Sequence, residues 1–161
     1  MRIYKYKRHA LEVNMPLPTV PILFMFVFFP LGHYHINVII VNRKPATALA
    51  DPYPAPTIIP KSVVADSSAD YESELVVIIG KTCKDISEVD AFDYVLGYTA
   101  GNDVSSRKSQ LEQSQWCFSK GFDGACPLGP VLVSPKLIPQ PSKLHIKGYR
   151  NGNIVQDSGV E

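Results

Sequence analysis

YESELVVIIG, residues 71–80, sets two acidic side chains against a run of five aliphatic ones and ends on a glycine. Leu75 to Ile79 is too short and too rich in β-branched residues for a helix, so the run predicts a buried strand that Gly80 terminates. Side chains alternate across a strand, so Glu72 and Glu74, two apart, project from one face. Two like charges so close either coat a solvent-exposed strand edge or share a counter-cation. Carboxylate oxygens suit a hard divalent ion such as Mg²⁺.

Toward the C-terminus, Ser87 followed by Asp90 resembles a capping box and predicts a short helix with Val89, Phe92 and Leu96 on its inner face. Residues 95–100, VLGYTA, predict a returning strand that delivers Gly101, Asn102 and Asp103 at its end, where side chains can leave the core and face a site. Asp103 is thereby a candidate third carboxylate. Ser105, Ser106, Arg107 and Gln110 come after it in the chain. Lys120 and Asp123 flank Phe122 in a glycine-rich turn, and a lysine near a carboxylate-bound metal can hold an anionic oxygen; the alternative is a solvated surface charge. Farther on, Leu144–Arg150 and Asn153–Gln156 flank Asn151-Gly152, the strongest short hairpin signal.

Toward the N-terminus, residues 43–68 carry Pro45, Pro52, Pro54, Pro56 and Pro60, which exclude regular central strands and predict a surface or cleft loop. Residues 20–32, VPILFMFVFFPLG, form the most apolar run. A spanning helix needs about 20 apolar residues, and this run is broken by Pro30, Gly32, His33, His35 and Asn37, which speaks against a membrane anchor over Val20 to Val41. Ala48-Leu49-Ala50 resembles a signal-peptidase site, but it lies far behind a broken apolar region whose long leader carries Glu12 and several prolines. His9 and Glu12, three apart, share one face of a helical turn, where a carboxylate-oriented imidazole could activate water; a lone histidine in a basic start is more often without a role.

The 161 residues fit one domain. Sixteen basic against fifteen acidic residues, with no basic stripe, argue against a nucleic-acid partner. Cys83, Cys117 and Cys126 form no Cys-x-x-Cys pair and read as free thiols. With 14 prolines and no repeat, the expected class is α+β, rich in strand and poor in helix.

The ordered strings YESELVVIIGKTCKDISEVDAFDYVLGYTAGNDVSSRKSQ and QWCFSKGFDGACPLGPVLVSP resemble the central part of the fumarylacetoacetate hydrolase family, over roughly Ala46 to Ser158. The resemblance implies a partial mixed β-sandwich or β-roll, with Glu72, Glu74 and Asp103 as ligands to Mg²⁺, or to Mn²⁺ or Ca²⁺. It implies Lys120 as stabiliser of substrate negative charge, and Arg107 and Gln110 in the pocket. The family's N-Y-x-x-H-A-x-E motif is partly matched at Tyr6 to Glu12, with Lys5 in place of the asparagine, which makes His9 and Glu12 the water-activating pair. Phe26–Arg43 interrupts a segment that runs straight through in the family, and its composition fits a translated retained intron. The expected organisation is residues 1–25 as motif segment, 26–43 as insertion, and 44–161 as an incomplete catalytic domain. Family members continue past the hairpin through a helix and several strands, so an incomplete domain, or an inactive remnant, is an expected alternative to an enzyme. The implied activity is metal-dependent carbon–carbon hydrolysis of a small anionic keto acid, with oxaloacetate decarboxylation, tautomerisation or isomerisation as the alternative. A homodimer in the cytoplasm, or the mitochondrion, completes the expectation.

Overall fold

The structure, a computed structural model, describes residues 22–26 and 40–160. Its centre is a four-stranded sheet of β3 (Leu49–Ala50), β8 (Cys126–Val133), β6 (Val95–Asn102) and β5 (Ser73–Ile79), in that spatial order. β5 and β6 are antiparallel neighbours, with Ser73 opposite Asn102 and Glu74 opposite Gly101, so the acidic start of one strand meets the polar end of the other. β8 lies antiparallel to β6 and parallel to β3. The class is mixed and strand-rich with few helices, as expected.

Three small pieces surround this sheet. β1 (Ile22–Phe26) pairs in parallel with β2 (Ile40–Lys44), which brings Lys44 to a strand end. β4 (Ala69–Asp70) pairs antiparallel with β7 (Ser105–Ser106). The hairpin of β9 (His145–Arg150) and β10 (Asn153–Gly159) turns at Asn151 and Gly152, with φ of 51° and 81°. Positive φ at both positions is what a type I′ turn requires, and Asn-Gly meets it at little steric cost. Three helices are short: α1 (Lys61–Ala65), α2 (Arg107–Glu112) and α3 (Trp116–Lys120). Among the described residues no helix is long and apolar enough to cross a membrane.

Three local expectations need correction, the first being the loop over residues 43–68, which holds β3 of the central sheet and helix α1 between its prolines. Residues 75–79 do form a strand, but only Val76 is fully buried, while Val77 and Ile79 are exposed. Val77 and Ile79 share the face opposite Val76, and that face is open to solvent, so the run follows its β-branched propensity without being enclosed. Only half of the capping box forms, since the Asp90 amide donates to Ser87 Oγ at 3.3 Å while Asp90 Oδ2 accepts from the Ser87 hydroxyl at 2.6 Å instead of from its backbone amide. The element it opens is only a 3-10 turn, Ala91–Tyr94, and Val89, Phe92 and Leu96 all face outward. Local capping chemistry decides the turn, whereas an inner face needs an opposing layer, and none lies there among the described residues.

The apolar core is small: Ala48, Val104, Ala125 and Cys126, with Ile59, Phe122 and Leu128 against it. Val104 places it directly beside Asp103. The Cys126 thiol is pushed up to about 12, first by burial and then by Asp103 and Glu74, against the pull of Lys44. Cys126 is therefore an inert core side chain.

Candidate metal centre

Strand pairing and two polar bonds build the site. The Asp103 amide donates to the Glu72 carbonyl at 2.9 Å, and the Glu72 amide donates to Asn102 Oδ1 at 3.1 Å. These bonds lock the start of β5 to the end of β6. Close approach also requires Gly101, since a Cβ there would stand 2.7 Å from Val76 Cγ2 and 3.0 Å from Leu128 Cδ2. As a result Glu72, Glu74 and Asp103 present carboxylate oxygens within 4.8 Å of one another.

Cations enclose this cluster. Lys120, at the end of α3 and only 2% exposed, donates to Glu72 Oε2 at 2.8 Å, Asp103 Oδ2 at 2.8 Å and Ser105 Oγ at 2.7 Å. Lys44 Nζ lies 2.5 Å from Asp103 Oδ1 and donates to the Ala125 carbonyl at 2.9 Å. Arg107 reaches Glu72 Oε1 at 2.6 Å and Asp70 Oδ2 at 2.7 Å, and donates to Gln110 Oε1 at 2.8 Å. Burial would lower the Arg107 pKa, but Glu72 and Asp70 outweigh it and raise it, so the guanidinium stays charged.

Glu74 is the exception. No hydrogen bond or ion pair reaches its carboxylate among the described residues, and its pKa is pushed up to about 7. Burial is the main cause, followed by repulsion from Asp103 and Glu72, with Lys120 and Lys44 opposing. Among the described residues four carboxylates, counting Asp70, stand against three cations, and Glu74 is the carboxylate that no cation pairs with directly. A hard divalent cation fits that donor set, because each carboxylate oxygen keeps a lone pair beyond its ion pair.

Of the residues singled out in the sequence, the structure brings together Glu72, Glu74, Asp103, Lys120, Arg107 and Gln110. His9 and Glu12 lie outside the described residues. Lys44 and Asp70 carry no comparable signature in the sequence. A lysine at the close of an apolar run before Pro45 was the faint signal for the first; β4–β7 pairing, which sets Asp70 beside Arg107, left no trace in spacing.

Comparison with known proteins gives this geometry a lineage. Residues 3–161 match the family model described as fumarylacetoacetate hydrolase C-terminal. The chain is 38% identical over 157 residues to the mitochondrial oxaloacetate tautomerase of Xenopus laevis, covering 96% of this chain and 42% of that protein. It is 46% identical over 120 residues to the caffeoylpyruvate hydrolase of Neonothopanus nambi, covering 73% of this chain and 35% of that one. The crystal structure of a 2-hydroxyhepta-2,4-diene-1,7-dioate isomerase from Mycobacterium marinum superposes with a TM-score of 0.65 at 39% identity, over 72% of this chain and 43% of that one. Fold and sequence together define the class, and this chain belongs to the fumarylacetoacetate hydrolase family, with the acidic cluster as its candidate metal site. It spans about half the length of the curated relatives it matches.

Proposed function

We propose that this chain carries the metal-holding part of a hydrolase that cleaves a carbon–carbon bond in a small diketo acid, of the acylpyruvate or fumarylacetoacetate kind. The observation that carries the reading is the convergence of Glu72, Glu74 and Asp103 within 4.8 Å, beside the buried ammonium of Lys120. Mg²⁺, or Mn²⁺ or Ca²⁺, held by these carboxylates would supply Lewis acidity toward the oxygens of a keto acid.

The side chains divide the remaining work. Lys120, anchored by Ser105, offers positive charge to an oxygen on which an enolate develops, in a site buried enough for that charge to count. Arg107, fixed by Asp70 and Glu72, sets a positive edge with Gln110 for the substrate's own carboxylate. His9, oriented by Glu12, takes a proton from water, a role that rests on the motif alone. The hydroxide adds to the distal carbonyl carbon, the bond to the neighbouring carbon breaks, and its electron pair passes into the enolate, which is then protonated. A carboxylic acid and a keto acid result. On resemblance alone, the working form is a cytoplasmic homodimer.

Decarboxylation and tautomerisation draw on the same electron sink without an attacking water, and the name of the Xenopus relative keeps that second reading in view. Incubating the chain and Mg²⁺ with an acylpyruvate and with oxaloacetate separates them. Pyruvate and the free acid in equal amounts are expected from the acylpyruvate. Loss of CO₂ or keto–enol exchange from oxaloacetate, with the acylpyruvate untouched, would replace hydrolysis by the second reading.

A further inference from the structure

Glu72 and Glu74 are separated by Ser73, and β5 is the outer strand of its sheet, so among the described residues no strand hydrogen-bonds along one edge of it. Ser73 turns its peptide groups toward that edge. Its amide donates to Gln156 Oε1 at 2.8 Å, and Gln156 Nε2 donates to the Ser73 carbonyl at 2.6 Å. One side-chain amide thus reproduces the two bonds a paired strand residue would make.

Two further features serve the same contact. The β9–β10 ladder shifts register between Ile154 and Gln156, an irregularity of the kind that re-aims a side chain, and Gln156 then sits opposite Gly148. Gly148 is what lets the hairpin come so near. A Cβ there would meet Ser73 Oγ at 2.7 Å and Gln156 Cβ at 3.2 Å. The hairpin therefore touches the strand at the residue between the two glutamates, through a polar clamp and a missing side chain.

We propose that Gln156 is a positioning residue of the carboxylate cluster, holding Ser73 so that Glu72 and Glu74 keep the separation and direction a divalent cation requires. This rests on the metal reading above. Partners that orient metal ligands without touching the metal typically change affinity by about 10- to 100-fold when removed. Gln156 lies 83 residues from Ser73 in the chain, so the hairpin's place in the fold acquires a chemical purpose.

Three substitutions in the full chain test it, with Mn²⁺ as probe, binding read by electron paramagnetic resonance and the Ser73 amide followed by hydrogen exchange. Gln156→Met keeps the length of the side chain and removes both bonds. It should expose the Ser73 amide to exchange and weaken Mn²⁺ binding by about 10- to 100-fold. Gly148→Ala reaches the same contact from the facing strand and should weaken binding in the same direction, which keeps the test intact if one variant fails to fold. Gly152→Ala strains the turn at a φ of +81°, where nothing lies within 4 Å, and should loosen the hairpin tip while leaving Mn²⁺ affinity alone. Unchanged affinity in Gln156→Met once Ser73 is unprotected, or an equal loss in Gly152→Ala, would overturn the positioning role. Failure of the unsubstituted chain to bind Mn²⁺ would instead remove the metal reading, and this role with it.

Discussion

The centre of the molecule and its outer sheet surface invert the usual distribution of side chains. Around the acidic cluster, Asp103, Ser105, Ser106, Ser119 and Lys120 are all buried, whereas Val77, Ile79, Val131 and Leu132 on the sheet face outward. Lysine and aspartate are almost never fully enclosed without a partner, so their enclosure here marks what the fold is organised around. Asp103 and Lys120 are as enclosed as the small apolar core beside them, in which Ala48, Ala125 and Cys126 are buried. Burial in this chain takes in the site together with the core beside it, and hydrophobicity alone would not have marked Asp103 and Lys120 as enclosed.

The sharpest way to break that comparison is Lys120→Met. It removes the ammonium that Glu72 and Asp103 share, and because Arg107 and Lys44 stay on them the loss is at most on the order of the 3–5 kcal/mol that breaking a buried pair costs. Urea unfolding should show that loss without metal, with partial recovery in Mg²⁺, since a bound cation replaces the missing charge. A neutral effect in both conditions would mean that the charge network does not hold the centre together.

Next in size is a pH effect from Glu74. Its folded pKa of about 7 lies above the ordinary value of 4.5, so the folded chain keeps a proton that the unfolded chain has already lost. Stability of the metal-free protein should therefore fall as pH rises from about 4.5 to about 7 and then level off, by at most about 3 kcal/mol from this group. Glu74→Gln should flatten this slope. An unchanged slope in that variant would assign the pH dependence to other groups. At the opposite pole, Val131→Thr on the exposed sheet surface should shift stability by less than about 0.5 kcal/mol in the same assay.

The elements that sequence made legible are those whose reasons are local. The Asn151-Gly152 turn, the strand over residues 75–79 and the returning strand that delivers Asp103 arise from turn chemistry and β-branched propensity. The outward aspect of Val89, Phe92 and Leu96 was not legible, because which side of a turn is covered depends on layers distant in the chain. The carboxylates were visible as spacing, and ordered family motifs gave that spacing its meaning. Lys44 and Asp70 enter through β1–β2 and β4–β7 pairing, and Gln156 through an 83-residue separation, none of which leaves a periodic signal. Long-range pairing completes a site whose ligands are otherwise written in two short strings.

The central claim is that three carboxylates enclosed by cations form a divalent-ion site. Calorimetric titration of the full chain with Mg²⁺ and with Mn²⁺, beside the Glu74→Ala variant, tests it most directly. One saturable site in the unsubstituted chain, lost in the variant, is the predicted result. No heat of binding in either chain, or equal binding in both, would contradict it.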